Sequence, residues 1–141
     1  MSSFQSSLSD MQGRLFEMSV QKGLASEAFV KAFMLSDIAK KLDLEFDHLQ
    51  WAGKEYVLEC MLDECKGKLT TSGEVYDREI MYWMGYTYRK WHFYLNKSSK
   101  EIYKVANARR MRTVYYPYHT LSTEMAICRL EECNNGSSIQ P

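Results

Sequence analysis

The most reactive side chains of this sequence are four cysteines and three histidines, and their spacing favours no known chemistry. Cys60 and Cys65 lie five positions apart, as do Cys128 and Cys133. Residues five apart on a helix point about 140° away from each other, so neither pair forms a chelating edge there. We therefore predict reduced thiols and no zinc or other metal site.

The histidines, which are the usual acid and base groups of enzymes, are scattered along the chain. None of His48, His92 and His119 has a carboxylate or a cysteine at a recognisable catalytic spacing. The sequence also lacks a phosphate-binding glycine loop, a Gly-x-Ser-x-Gly turn and a His-Glu-x-x-His pair. We therefore predict that the chain is not an enzyme and uses no cofactor.

The segment from Tyr76 to Leu95 carries the most informative pattern. Eight of the chain's 19 aromatic residues lie between Tyr76 and Tyr94. At 100° per residue one helix face, the core row, holds Tyr76, Ile80, Trp83, Met84, Trp91, Tyr94 and Leu95. The opposite face, the second row, holds Tyr82, Tyr86, Arg89 and Phe93.

The second row has two interpretations. An all-round apolar helix is usually buried, which would make both rows core. Tyrosine, phenylalanine and arginine also dominate the hot spots of protein interfaces, so we predict that Tyr82, Tyr86, Arg89 and Phe93 contact another protein or a second copy of the chain. A small-ligand pocket built from Tyr82, Tyr86, Arg89 and His92 is left open. Gly85, between the rows, predicts close approach of another backbone.

Charge is balanced overall but unevenly distributed. Lysine plus arginine and aspartate plus glutamate count 18 each, so net charge predicts no general attraction to nucleic acid or membrane. Residues 89–112 hold eight basic residues and one acid, whereas residues 37–64 hold eight acids and three lysines. These segments either pair with each other inside the fold or serve a partner.

The basic segment also permits a DNA-binding alternative. The segment 98–114 has roughly the proportions of a helix-turn-helix, with a first helix at 98–105, a turn at 106–108 and a second helix at 109–114. The contacts would come from Lys100, Lys104, Arg109, Arg110 and Arg112. The second helix is short and the usual turn glycine is missing, so protein binding is the favoured prediction.

Apolar periodicity predicts an all-α bundle of about five to seven helices, the last ones short, forming one domain over 1–133 with a disordered tail at 134–141. The first helix should end near Gly23 and the second should begin at Ser26, either running on or breaking at Ser36. A capping box at Asp47 and Gln50 predicts the third. The absence of a long apolar run and of a secretory signal predicts a cytoplasmic protein.

The later helices have their own boundary signals. Ser98 and Glu101 form a capping box for a short helix. Asn107 is predicted to take a left-handed turn before the next helix, which Pro117 should stop. Ser122 or Thr123 should cap the last helix.

Several segments together resemble a known family. They are MYWMGYTYRKWH at 81–92, SSKEIYK at 98–104 and HTLSTEMA at 119–126, with SDIA at 36–39 and LQWAG at 49–53. Over most of residues 15–130 the chain is similar to a family of small uncharacterised bacterial proteins encoded beside toxin-like partners that resemble ADP-ribosyltransferases. The resemblance implies an antitoxin-like role and carries over no catalytic residues.

Overall fold

The computed structural model describes residues 2–45 and 47–139, with side chains described through Cys133. It confirms the all-α prediction, and no strand occurs in these ranges. The elements are α1 Ser3–Gln21, α2 Ser26–Met34, α3 Asp37–Asp43, a 3-10 turn His48–Trp51, α4 Lys54–Glu64, α5 Arg78–Leu95, α6 Ser99–Val105, α7 Ala108–Tyr118 and α8 Thr123–Ile139.

The described chain has eight α-helices, slightly more than the five to seven predicted. The additional helix arises where the predicted second helix breaks at Ser36. The Ser36 hydroxyl donates to the Phe33 carbonyl at 2.6 Å and accepts from the Ala39 amide at 3.0 Å. One side chain therefore ends α2 and caps α3. The last helix, α8, is predicted to be short, but it has 17 residues.

The centre of the fold is the contact between α1 and α5, and two glycines permit it. A Cβ atom at Gly85 would lie 2.6 Å from the Gln12 carbonyl oxygen and 2.8 Å from Phe16 Cγ. A Cβ atom at Gly13 would lie 2.6 Å from a ring carbon of Tyr82. The predicted close backbone approach at Gly85 is confirmed, and α1 is the helix that makes it.

Aromatic side chains join α2 to this central pair. The Phe16 ring of α1 packs edge-on against Phe29 and Phe33 of α2, with ring centroids 5.3 and 5.4 Å apart. On its other side it meets Tyr88 of α5 at 6.2 Å. All four rings are buried, so three helices share one core cluster.

The later helices are attached to α5 by polar contacts. The Tyr88 hydroxyl donates to the Ala106 carbonyl at 2.6 Å, where α6 ends. The Trp91 indole N–H donates to Glu131 of α8 at 2.8 Å, and the Lys97 ammonium donates to the same carboxylate at 2.8 Å. These contacts fix α6 and α8 against the carboxyl half of α5.

The cap predictions are confirmed where the signal is local. Ser98 and Glu101 form the predicted capping box of α6, and the Ser122 hydroxyl accepts from the Met125 amide at 3.2 Å at the start of α8. Asn107 is not in a left-handed turn. Its φ is −73° and it caps α7 by accepting from the Arg110 amide at 2.9 Å. Pro117 lies inside α7, which ends one residue later.

Two other cap predictions are wrong because backbone groups outside the predicted caps bind the side chains. Ser26 is not the N-cap of α2; its hydroxyl accepts from the Tyr76 amide at 2.8 Å. Asp47 caps the 3-10 turn, but Gln50 closes no capping box and donates instead to the carbonyls of Leu42 and Leu44, at 3.0 and 2.6 Å.

At the carboxyl end, the α8 backbone continues to Ile139. The predicted disordered tail at 134–141 falls on residues whose side chains, and at 140–141 whose backbone, lie outside the described part of the chain, so it stays a prediction. Among the described residues, no helix is both long and apolar enough to span a membrane.

The crossing of α1 and α5 predicts how Gly85→Ala behaves. Alanine favours a helix over glycine by about 1 kcal/mol, but the added methyl would meet a backbone atom that cannot move alone. We expect a net destabilisation of about 1–3 kcal/mol in urea unfolding. Gly67→Ala, where nothing lies within 4 Å, is the control and should change stability by less than about 0.5 kcal/mol. Equal midpoints for the two variants would contradict the close crossing.

Candidate partner-binding surface

The second row of α5 faces α1, and its four members differ in burial. Arg89 is only 1% exposed, whereas Tyr82, Tyr86 and Phe93 are half-buried. The prediction that Arg89 is presented to a partner is therefore corrected, because α1 covers it. Partner binding by Tyr82, Tyr86 and Phe93 stays a prediction.

The prediction that the core row is buried is correct toward the amino end of α5 and wrong for the last two residues of the row. Tyr76, Ile80, Met84 and Trp91 are buried. Trp83 is half-buried and packs edge-on against Tyr115 of α7, with ring centroids 5.7 Å apart. Tyr94 and Leu95 are exposed, at 47% and 37%. The buried face thus differs from one end of the helix to the other, since α5 packs on α1, α6, α7 and α8.

Arg89 is held by a buried polar network. Its Nε donates to Gln12 Oε1 at 2.8 Å, and one terminal nitrogen donates to Asp43 Oδ1 at 2.6 Å. The Gln12 amide in turn donates to the Gly85 carbonyl at 3.0 Å. Burial lowers the pKa of Arg89 and the adjacent Asp43 opposes that shift, so the carboxylate offsets the cost of burying the guanidinium.

Asp43 connects the end of α3 to the start of α6. Its Oδ2 accepts from the Ser99 amide and its Oδ1 from the Ser99 hydroxyl, both at 2.8 Å. With Arg89 included, one carboxylate receives three hydrogen bonds from two helices. Asp43 therefore fixes α3, α5 and α6 relative to one another.

His92 lies one turn beyond Arg89 and closes the network. Its Nδ1 is 2.7 Å from the Lys97 carbonyl, which accepts, so Nδ1 carries the proton. The same atom is 3.7 Å from Asp43 Oδ1. Burial is the main cause of the lowered pKa of His92 and the charge of Arg89 adds to it, while the Lys97 carbonyl and Asp43 oppose it.

An open cleft of about 530 Å³ lies beside this network, and we call it the aromatic cleft. Its lining comes from the start of α1, the segment 43–51 and the end of α5: Ser2, Phe4, Gln5, Asp43, Leu44, Glu45, Gln50, Trp51, His92, Phe93 and Asn96. The rings of Phe4 and Trp51 pack with centroids 4.5 Å apart. Trp51 is nevertheless 68% exposed and Leu44 52% exposed.

Of the residues that line this cleft, Phe93 and His92 stand out as candidate site residues in the sequence, whereas Phe4 and Trp51 do not. Phe4 lies in the predicted first helix, and Trp51 follows the capping box at Asp47 and Gln50, which predicts a place inside the third helix. Gly53 is the signal that separates Trp51 from the helix. Its φ of +86° is a conformation that favours glycine, and α4 begins only after it. Trp51 therefore stands in the preceding 3-10 turn, outside the helical stripe.

The basic residues proposed for nucleic acid are partly engaged within the chain. Arg109 lies 3.4 Å from Glu27, and Arg112 lies 2.6 Å from Glu74 and over the Tyr76 ring. Arg110 is half-buried, whereas Lys100 and Lys104 are exposed. Helix α6 packs on α2, α3, α5 and α8, and α7 packs on α2 and α5. Nucleic-acid binding stays a prediction.

The internal pairing of opposite charges is realised in part. Arg89 of the basic segment pairs with Asp43 of the acidic segment. Lys90 and Lys97 pair instead with Glu124 and Glu131 of α8, at 3.0 and 2.8 Å. The basic segment is thus neutralised largely by other helices.

The structure does not bring Tyr82, Tyr86, Arg89 and His92 together as the lining of one small-ligand pocket. The Tyr82 hydroxyl donates to Asp10 at 2.5 Å, and buried Arg89 faces Gln12 and Asp43. Among the four, His92 reaches the aromatic cleft. Within the described residues, no group of three or more His, Cys, Asp or Glu side chains is arranged to hold a metal ion.

Comparison of the chain with protein-family models, with curated proteins and with solved structures finds no match. The antitoxin-like role implied by the resemblance therefore stays a prediction.

The buried position of Arg89 predicts a large effect for Arg89→Ala. Removing the guanidinium leaves Asp43 and Gln12 without their partner, and the loss of one member of a buried ion pair costs about 3–5 kcal/mol. Arg109→Ala is the matched control because its pair with Glu27 is exposed, and it should cost less than about 1 kcal/mol. Chemical unfolding of both variants measures the difference; similar losses would contradict the network's importance.

The lowered pKa of His92 predicts that the stability of the fold depends on pH. Because its folded-state pKa lies below the usual value of about 6.5, the unfolded chain binds more protons when the pH falls below that value. The free energy of unfolding should therefore fall from pH 7 toward pH 5, by at most about 1.4 kcal/mol per pH unit. His92→Gln should flatten this dependence, whereas His48→Gln, at a 90% exposed side chain, should not. An unchanged slope in His92→Gln would refute the assignment.

Proposed function

We propose that this chain is a non-catalytic protein-binding module whose contact surface is the aromatic cleft together with the half-buried Tyr82 and Tyr86. The single observation that carries the proposal is Trp51, a large aromatic side chain that lines an open cleft and remains 68% exposed. Tryptophan in a concave, apolar setting is the residue type most enriched in interface hot spots.

The cleft joins the surface predicted from the second row. Phe93 belongs to that row and lines the cleft with Phe4 and Trp51. Tyr86 and Phe93 are seven positions apart on α5, so they lie on nearly the same face about 10 Å apart along the axis. A partner seated in the cleft would therefore reach Tyr86 along the side of α5.

The Arg89 network supports binding indirectly. It fixes the carboxyl half of α5 against α1 and α3, which are the elements that supply Phe93, Phe4 and Asp43 to the cleft. A surface whose walls are already in place loses less conformational entropy on binding. Arg89 is thus a positioning residue in this proposal, and the contacts are made by the aromatic side chains.

The kind of partner is suggested by the family resemblance. An antitoxin-like protein blocks a toxin by binding it and needs no catalytic group of its own. A toxin that resembles ADP-ribosyltransferases is accordingly the partner we propose. Self-association through the same surface is the alternative within this class.

The DNA-binding alternative has weaker support. A helix-turn-helix needs several unengaged basic side chains on its second helix. In α7, Arg109 and Arg112 already face Glu27 and Glu74, although exposed pairs of this kind are weak and exchangeable. Duplex binding that falls steeply with salt would favour this alternative over protein binding.

The proposed function predicts that Trp51→Ala combined with Phe93→Ala weakens protection against the toxin. Bacteria co-expressing the chain and a toxin of this class encoded beside it should survive with the unaltered chain. The double variant should bind the toxin at least about tenfold more weakly in calorimetry, because it removes two aromatic anchors.

Tyr116→Ala is the matched control, since Tyr116 is a 72% exposed aromatic residue on α7 and does not line the cleft. Helical circular dichroism should be the same for all three proteins. Undiminished toxin binding by the double variant would reject the proposed surface. Light scattering of the isolated chain distinguishes a self-associating protein from a monomer that awaits a partner.

A further inference from the structure

The charges around the aromatic cleft point to the chemistry of its occupant. Among the lining residues that the structure describes, the carboxylates are Asp43 and Glu45, and none is lysine or arginine. Burial lowers the pKa of the third titratable side chain, His92, so that the imidazole is neutral at pH 7. The charged side chains of the lining are therefore both acidic.

The two carboxylates differ in availability. Asp43 has a 10% exposed side chain, and it already receives hydrogen bonds from Arg89 and Ser99. Glu45 is exposed, beside the equally exposed Leu44. Glu45 is thus the group able to approach an incoming charge, while Asp43 is committed to the fold.

The aromatic rings fit the same occupant. An ammonium or guanidinium group is attracted to the face of an indole ring more strongly than to other aromatic faces. The methylene stems of lysine and arginine also cover apolar surface while the charged head stays near water. Trp51, Phe4 and Leu44 supply such a surface, and Glu45 lines the same cleft.

We propose that the aromatic cleft binds a basic side chain of the partner protein, with its cation over Trp51 and against Glu45. This inference rests on the proposed function for the site's location and adds the chemistry of the occupant. Arginine is the better fit of the two basic residues, because its planar guanidinium stacks on an aromatic face and donates in parallel to a carboxylate.

The test uses the complete chain and a matched set of short peptides. The probes are acetyl-Ala-Arg-Ala-amide and the same peptide with citrulline, which replaces the charged guanidinium by a neutral group of nearly the same shape. Binding is followed by the indole N–H resonance of Trp51 in two-dimensional NMR, assigned with Trp51→Phe. We expect the arginine peptide to shift this resonance at millimolar concentration and the citrulline peptide to bind about tenfold more weakly.

Variants of the chain separate charge from shape. Glu45→Gln should weaken the binding of the arginine peptide roughly threefold and reduce the salt dependence of that binding. Glu59→Gln is the matched control, because Glu59 is an exposed carboxylate on α4 outside the cleft lining, and it should leave binding unchanged. Trp51→Ala removes the indole reporter, so its binding is followed by the backbone amide resonances of Glu45 and Phe93, and these should no longer shift with the arginine peptide.

The outcomes distinguish this inference from the proposed function. Equal binding of the arginine and citrulline peptides, or no binding of either, overturns the cation site. Protection against the toxin that still depends on Trp51 and Phe93 would in that case keep the protein-binding surface. If the arginine peptide binds but protection does not depend on Trp51 or Phe93, the cation site is kept and the toxin is rejected as its occupant.

Discussion

The ion pair between Arg89 and Asp43 is the constraint on which the rest of this structure depends. A guanidinium with no exposed surface would be prohibitively costly without a counter-charge, and the sequence provides one 46 positions away at the end of α3. The same carboxylate accepts from the start of α6, and Gln12 of α1 completes the shell around Arg89. Four helices are therefore oriented by one charged contact.

This polar centre is embedded in an apolar one. Gly13 and Gly85 let α1 and α5 approach closely, and Phe16 fills the space between them and α2. Apolar packing of this kind contributes most of the stability but tolerates some sliding of helices. Hydrogen bonds to a buried charge do not, because each has one geometry. The network thus sets the register of helices that the apolar core holds together.

Sequence patterns predicted what is decided within a few residues. The capping box at Ser98 and the close approach at Gly85 depend on local spacing, and the structure contains both. The break at Ser36 is one of the two alternatives that the sequence allows for the second helix, and it is the one that the structure has. Ser26 and Gln50 were assigned wrongly, because backbone groups from other parts of the fold compete successfully for their side chains. Periodicity carries no information about such partners.

The candidate site shows the same division. The aromatic second row of α5 is visible in the sequence, but the helix that covers Arg89 is not, so an interior residue was assigned to the surface. Trp51 is hidden for a different reason. The capping box at Asp47 and Gln50 predicts a helix that would include Trp51, but α4 begins only after Gly53 and Trp51 is exposed.

The aromatic cleft is assembled from three segments that are far apart in the sequence: the first turn of α1, the stretch from Asp43 to Trp51, and the last turn of α5. None of them contains enough of the wall to retain an occupant alone. Fraying of the first turn of α1 would remove Phe4 and open one side while the remaining helices stayed intact. Any binding through this cleft would consequently be lost under milder conditions than helicity, and an unchanged overall helix content would not show that the cleft is intact.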